Sequence, residues 1–223
     1  MLAFGHHVPA TRFALTMSSL EFKTFEFDRT YRCTVLGDAP LAGSSIFRWG
    51  ALAKPPAGTT RHHFSLTGQS ASWVGSVDTD DVLEPYYCNL LFATPGRNWL
   101  GVVGSGEGVF VNVDKPDQFA RIEVEQIKNV LRVRDLPYIL LHSPQDIAVY
   151  GPQGLVWYLE RVAEDDLRIT GCDATGIYGV VPKYSEHGDE DVAVRIDPHS
   201  GVVTGGWRVP VLRPVRNGHS FQW

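Results

Sequence analysis

The sequence predicts an all-β protein, an antiparallel β-sandwich or irregular barrel built from hairpins. Apolar residues recur at every second position far more often than at the helical period, so side chains alternate between the two faces of extended strands. The 223 residues also include 22 glycines and 14 prolines, which favour many turns. A small or partial β-propeller, built from repeated four-stranded units, is the alternative architecture.

The N-terminal third, residues 1–95, shows this alternation least clearly. Its residues 53–58 include Pro55 and Pro56, which cannot donate to a β-ladder, so this segment is expected to be a loop. Residues 86–93 are rich in aromatic and apolar side chains and predict a strand. The other strands predicted in this third are 20–27, 31–36, 45–52, 60–66 and 70–77.

The remainder of the chain, residues 96–223, is richer in hairpin signals. Apolar runs at 99–103 and 109–113 flank the glycine-rich residues 104–108, and this turn chemistry predicts a β-hairpin. Residues 114–117 have the composition that caps a short helical turn, the one helix expected in the chain. The alternating residues 121–127 then predict a further strand.

A second hairpin repeats the pattern of the first. Its glycine-rich reversal lies at residues 151–154, between apolar runs. Repeated hairpins fit the blades of a propeller, but the N-terminal third contains no clear copy, and a sandwich contains hairpins as well. The strands predicted in this part of the chain are 138–142, 146–150, 155–159, 168–170, 176–181, 192–197 and 202–207.

Length and composition indicate a single globular β domain spanning residues 1–223. Hydrophobic residues make up 43% and charged residues 20% of the chain, as in folded proteins. The formal charge of −5 argues against a nucleic-acid partner, because phosphate contacts need a basic surface. No apolar run is long enough to span a bilayer, and the N-terminus has no signal-peptide pattern. We therefore expect a cytoplasmic protein without a membrane partner.

No cofactor is expected, and the three cysteines form no cofactor-binding motif. Cys33, Cys88 and Cys172 are far apart and form no C-x-x-C pair. They are expected to be reduced, buried thiols in a reducing compartment rather than nucleophiles.

The eight histidines predict no metal site. His6-His7 and His62-His63 are adjacent pairs, and neighbours in a strand point to opposite faces, so neither pair can easily chelate one ion. His187 lies among acidic residues in a segment that is expected to be a solvated loop.

Four short motifs lie at turns and strand ends in the second half of the chain. They are YGPQGLVW at 150–157, EDDLRI at 164–169, IDPHSG at 196–201 and TGG at 204–206. Through them, residues 138–206 resemble a segment of uncharacterised bacterial β-rich proteins. The resemblance implies a bacterial cytosolic β protein, and it carries over no activity and no catalytic residue.

Two places are the first candidates for a catalytic site. Asp165 and Asp166 are adjacent carboxylates, which can raise the pKa of one another and perform acid–base chemistry. His142 follows an apolar strand, with Asp146 four residues further on. Each place also has a structural interpretation, since aspartates favour turns and His142 can be a hydrogen-bonded histidine beside one.

Aromatic residues are the first candidates for a binding surface. Tyr86-Tyr87 and Trp157-Tyr158 each place adjacent aromatics on opposite faces of a predicted strand. One member of each pair is therefore expected to be exposed, and exposed tyrosine and tryptophan are common anchors of protein interfaces.

The function expected from these observations is that of a non-catalytic protein-binding module in a bacterial cytosol. Its partner is expected to be another protein, met through acidic loops and exposed aromatics, and an immunity-type or accessory role fits this chemistry. The alternative is a hydrolase of unrecognised type that uses a carboxylate and histidine cleft.

Overall fold

The computed structural model describes residues 20–37, 46–48, 58–80, 86–185 and 188–213, which form eighteen strands. The strands are β1 (Glu21–Lys23), β2 (Arg32–Leu36), β3 (Ile46–Arg48), β4 (Thr59–Thr67), β5 (Ser72–Asp80), β6 (Leu90–Ala93), β7 (Trp99–Gly104), β8 (Glu107–Asn112), β9 (Phe119–Arg121), β10 (Asn129–Val133), β11 (Tyr138–His142), β12 (Ile147–Gly151), β13 (Gly154–Glu160), β14 (Arg168–Asp173), β15 (Gly176–Lys183), β16 (Glu190–Ile196), β17 (Val203–Gly205) and β18 (Val211–Arg213). The described residues contain no helix that could cross a membrane.

The strands form four sheets, which we number by their position along the chain. In spatial order, sheet I is β2-β4-β5-β3, sheet II is β1-β6-β7-β8-β9, sheet III is β10-β11-β12-β13-β18 and sheet IV is β14-β15-β16-β17. Only the β1–β6 and β3–β5 pairs are parallel among these strands. In sheets II, III and IV, four consecutive strands form an antiparallel meander, because short turns join neighbours in sequence.

The sheets pack face to face in the order I, II, III, IV, with an apolar core in each of the three gaps. Side chains along one strand alternate between neighbouring cores. In β12, Ala148 and Tyr150 belong to the core between sheets II and III, whereas Ile147 and Val149 belong to the core between sheets III and IV. Sheets II and III are therefore buried on both faces, rather than half-buried as the alternation alone predicts.

The predicted all-β class and antiparallel pairing are confirmed, and the face-to-face packing is consistent with a β-sandwich. The irregular barrel, the second form of the main prediction, is wrong for the described strands, since none of their sheets closes on itself. Both predicted hairpins are present. They close at the Gly104–Glu107 pair and at the Gly151–Gly154 pair.

Two segments differ from their predicted structure. Residues 114–117 form a turn and no helix, because the Asn112 side chain accepts hydrogen bonds from the amides of Asp114 and Lys115 at 3.0 and 3.1 Å. Residues 122–128 are irregular rather than a strand. Their alternation has another cause, since Ile122, Val124 and Ile127 fill the core between sheets II and III.

Other strand boundaries also shift. The predicted strand 20–27 is limited to β1 and is followed by a turn, and the predicted strand 86–93 begins only at Leu90. Strands β9, β10 and β18 were not predicted. Most of the proline loop at 53–58, together with His6-His7 and His187, lies outside the described residues.

Candidate functional site

The predicted catalytic residues lie at one end of sheet III, in two loops that touch. His142 ends β11, and Asp165 and Asp166 lie in the loop between β13 and β14. The Leu167 amide donates to the Pro144 carbonyl at 2.8 Å, which joins the loops. Lys128 connects them as well. Its amide donates to the His142 carbonyl at 2.8 Å, and its ammonium pairs with Asp166 at 2.9 Å.

The imidazole of His142 is buried, and its Nδ1 makes a hydrogen bond. The residue is 6% exposed, and its Nδ1 donates to the neighbouring Ser143 carbonyl at 3.2 Å. Burial lowers the pKa of His142, and the nearby Lys128 ammonium lowers this pKa further, although the bond to the carbonyl acts in the opposite direction. The side chain is therefore a neutral imidazole that completes a turn.

The two aspartates are also engaged. Asp165 accepts a hydrogen bond from the Asp166 amide at 2.9 Å, as turn aspartates commonly do. Asp166 lies between Lys128 at 2.9 Å and Arg168 at 3.6 Å, and Arg168 also pairs with Asp191. Within the described part of the chain, no hydrogen bond joins His142 to either aspartate. This arrangement is a chain of surface ion pairs rather than an acid–base pair.

Asp146 is likewise part of the turn. Its two carboxylate oxygens accept hydrogen bonds from the Tyr158 hydroxyl at 3.1 Å and from the Arg161 amide at 2.9 Å. The Ser143 hydroxyl accepts from the Asp146 amide at 2.8 Å and closes the turn before β12. These contacts agree with the structural interpretation of the His142–Asp146 spacing.

Trp157 and Tyr158 do not reach the surface, and the expectation that one of them is exposed is wrong. Trp157 is 3% exposed in the core between sheets III and IV, where its indole donates to the Pro198 carbonyl at 3.0 Å. Tyr158 is 9% exposed in the core between sheets II and III. The reason is that both faces of sheet III are covered by other sheets.

Tyr86 and Tyr87 lie where exposure is expected. Tyr86 is 65% exposed, and Tyr87 is half-buried. Tyr87 lies against the β7–β8 turn, where a Cβ added to Gly106 would be 3.0 Å from the tyrosine Cβ and Cγ. The backbone holds this contact. The Cys88 amide donates to the Ile127 carbonyl at 2.9 Å, the Ile127 amide to the Gly106 carbonyl at 2.8 Å, and the Gly106 amide to the Cys88 carbonyl at 3.4 Å.

Three exposed carboxylates surround the same turn. Glu107 follows Gly106 directly, and Glu123 follows Ile122, whose amide donates to the Gly108 carbonyl at 2.9 Å. Glu125 precedes Gln126, whose Cα lies 3.2 Å from the Cβ position of Gly106. None of the three makes an ion pair within the described ranges. We call these residues, Tyr86, Tyr87, Glu107, Glu123 and Glu125, the Tyr86 surface.

The sequence predicts the tyrosines of this surface but not its glutamates. Glu123 and Glu125 belong to residues 121–127, which alternation assigns to a strand, and their grouping with Glu107 depends on irregular backbone. Arg121 is the basic residue closest to them in sequence, and it pairs with Val109 across β8 and β9.

The described residues offer little support for metal binding or for thiol chemistry. No group of three histidine, cysteine, aspartate or glutamate side chains within the described residues could hold a metal ion. The three cysteines are free. Burial raises the pKa of Cys33 and that of Cys88 to about 12, so both thiols stay protonated at neutral pH.

Comparison with known proteins identifies no family. No family model matches the chain, and no curated protein matches it. Among solved structures, the AfRom2 CNH domain matches with a TM-score of 0.32 and 16% sequence identity, over 63% of this chain and 48% of that one. The match thus spans about half the length of that chain. At this TM-score the likeness supports no conclusion about fold or function.

Proposed function

We propose that this protein is a non-catalytic protein-binding module, and that the Tyr86 surface contacts its partner. The observation that carries the proposal is Tyr86, a large aromatic side chain that is 65% exposed beside three carboxylates that make no ion pair with any described residue. The proposal includes an immunity-type or accessory role in a bacterial cytosol, which has its basis in the sequence alone.

The tyrosines supply the apolar part of such a contact. A tyrosine ring buries a large area on binding and has few torsions to order, so it makes an efficient anchor. Tyr87 is already held against Gly106, and it supports the neighbouring Tyr86 on backbone that is fixed by the hydrogen bonds of the turn. A side chain that is already ordered before binding loses less conformational entropy on binding than a mobile one.

The glutamates determine the charge of the partner. Glu107, Glu123 and Glu125 make no ion pairs within the described ranges, so their charges are available to an incoming cation. Unpaired carboxylates accelerate the encounter with a basic partner and repel an acidic one. A lysine or arginine side chain also interacts favourably with the face of a tyrosine ring. A basic protein segment therefore fits this surface best.

The hydrolase alternative draws less support from the same molecule. His142 is a buried neutral imidazole bonded to a carbonyl, and Asp166 is neutralised by Lys128 and Arg168. A general base must reach the proton of a substrate or a water molecule, but His142 is only 6% exposed and Asp166 is held by two cations.

Selection from a displayed library of random peptides tests the proposal. The wild-type chain should enrich peptides that are rich in lysine and arginine, and enrichment should weaken as salt increases. Tyr86→Ala should abolish most of this enrichment, and the double variant Glu123→Gln, Glu125→Gln should remove the preference for basic peptides. Tyr184→Ala is the matched control, because Tyr184 is also exposed but follows β15 in sheet IV. Enrichment that is the same in wild type and Tyr86→Ala would overturn the proposal.

A further inference from the structure

Three polar side chains form a row across the outer face of sheet I, the face that points away from sheet II. Arg48 of β3 lies opposite Ser76 of β5, and Ser76 lies opposite His63 of β4. Their sequence neighbours Phe47, Val77 and Phe64 pack into the core between sheets I and II. Because side chains alternate along a strand, the row faces outward.

One atom of this row lacks the hydrogen bond that a buried polar group normally makes. The Nδ1 atom of His63 is buried without a partner. The neighbouring Ser76 is 3% exposed and lies directly opposite His63. More than about nine in ten buried polar groups in proteins are hydrogen-bonded, so the unsatisfied Nδ1 atom of His63 points to a missing ligand.

Among the described residues, the charges around the row leave the Arg48 guanidinium without an ion pair. Arg61 lies next to the row on β4, but it forms two hydrogen bonds to the Asp78 carboxylate, at 2.6 and 2.9 Å, which neutralise it. Arg48 is exposed and makes no ion pair within the described residues. Burial lowers the pKa of His63, and Arg61 and Arg48 lower this pKa further, whereas Asp78 raises it. An anion beside Arg48 and His63 would neutralise the charge of Arg48 and raise the pKa of His63.

We propose that Arg48, Ser76 and His63 form a binding site for a phosphate group. The guanidinium of Arg48 can donate two parallel hydrogen bonds to phosphate oxygens, and it is the preferred side chain for this contact. The hydroxyl of Ser76 and a ring N–H of His63 supply further donors from the neighbouring strands. A tetrahedral phosphate offers a separate oxygen to each of the three side chains, whereas a carboxylate has only two oxygens. This site is separate from the Tyr86 surface.

Titration of the full chain with inorganic phosphate, followed by the NMR signals of the His63 ring, tests the site. Phosphate should shift these signals saturably and raise the pKa of His63, whereas acetate at equal ionic strength should bind much more weakly. Arg48→Gln should weaken phosphate binding by about tenfold or more, since it removes a charged hydrogen-bond donor. Arg48→Lys should weaken it less, because the charge stays but the planar fork is lost.

Arg32→Gln is the matched control. Arg32 is an exposed arginine that lies opposite Thr67, four residues along β4 from His63, so its substitution should leave phosphate binding unchanged. Ser76→Ala provides a second test that does not change the charge, and it should also weaken binding. Thermal unfolding of each variant confirms that it is folded.

The comparison of ligands distinguishes the source of the phosphate. Tighter binding of phenyl phosphate than of inorganic phosphate would support a phosphorylated molecule as the ligand, and the reverse order would support the free ion. A non-saturable shift, or equal phosphate binding by wild type and Arg48→Gln, would overturn the site. Acetate that binds as tightly as phosphate would overturn the choice of phosphate.

Discussion

The phenyl ring of Phe92 lies over the backbone of Gly101, its partner on the neighbouring strand of sheet II. A Cβ added at Gly101 would lie 2.1 Å from Cζ of this ring. The ring in turn packs edge-on against Phe110, with centroids 6.2 Å apart, so it cannot move aside without disturbing the core between sheets II and III.

Gly101→Ala should therefore destabilise the protein by about 1–3 kcal/mol, the usual cost of forcing an extra carbon into a packed core. Urea unfolding, followed by tryptophan fluorescence, measures the change. The control is Gly171→Ala, since a Cβ at Gly171 would meet nothing within 4 Å. Equal unfolding midpoints for wild type and Gly101→Ala would show that the Phe92 ring can shift freely.

The turn between Thr24 and Phe27 should accept glycine at position 26 without loss of stability. Phe25 and Glu26 both have positive φ, 49° and 58°, and the Phe27 amide donates to the Thr24 carbonyl at 3.1 Å. Glu26→Gly removes backbone strain and loses only an exposed ion pair with Arg132, so stability should stay equal or rise by up to about 1 kcal/mol. Glu26→Val should destabilise, because a β-branched residue is strained at positive φ. Thermal unfolding of both variants should show these opposite directions.

Part of the acid sensitivity of the protein should come from Asp197. Hydrogen bonds from the Ser200 amide and hydroxyl, and from the His199 amide, hold the pKa of Asp197 below its ordinary value of 3.8. A carboxyl with a lowered pKa in the folded state stabilises the fold above its unfolded pKa, and this stabilisation is lost as the pH falls through the folded pKa. Asp197→Asn should reduce the slope of stability against pH below about pH 4. Urea unfolding midpoints at several pH values measure the slope, and an unchanged slope would contradict this assignment.

Cys33 and Cys88 should react slowly with thiol reagents in the folded protein. Burial raises the pKa of each to about 12, so the reactive thiolate is scarce at pH 8. Iodoacetamide labelling, with mass spectrometry to locate each modified cysteine, should be slow until urea unfolds the chain. Labelling at the same rate with and without urea would show that these thiols are accessible.

The all-β class was predictable because alternation is a local property of a strand. What alternation could not predict is which faces are covered, since that depends on sheets that are distant in sequence. Trp157 and Tyr158 illustrate the difference: one side chain faces sheet IV, the other faces sheet II, and both are buried. Strand β10 was missed because Asn129 and Arg132 interrupt its apolar pattern.

The two candidate sites were predictable to different degrees. Tyr86 stood out as part of an aromatic pair, but its carboxylate neighbours come together only through the irregular residues 122–128. The row of Arg48, Ser76 and His63 had no signal in the sequence. It depends on the parallel pairing of β3 with β5, which joins residues 28 positions apart, 48 to 76. Parallel strands need a long connection, so no short-range pattern announces their register.

The layered arrangement of the four sheets has a consequence for local opening of the native state. Detaching sheet I or sheet IV exposes one core, whereas displacing sheet II or sheet III exposes two. Backbone amides in β7 and β11 should therefore exchange with deuterium only through near-global unfolding, and those of β2 and β17 through smaller fluctuations. Sheets II and III should therefore show the slowest hydrogen exchange, and local opening of the native state should begin in sheets I and IV.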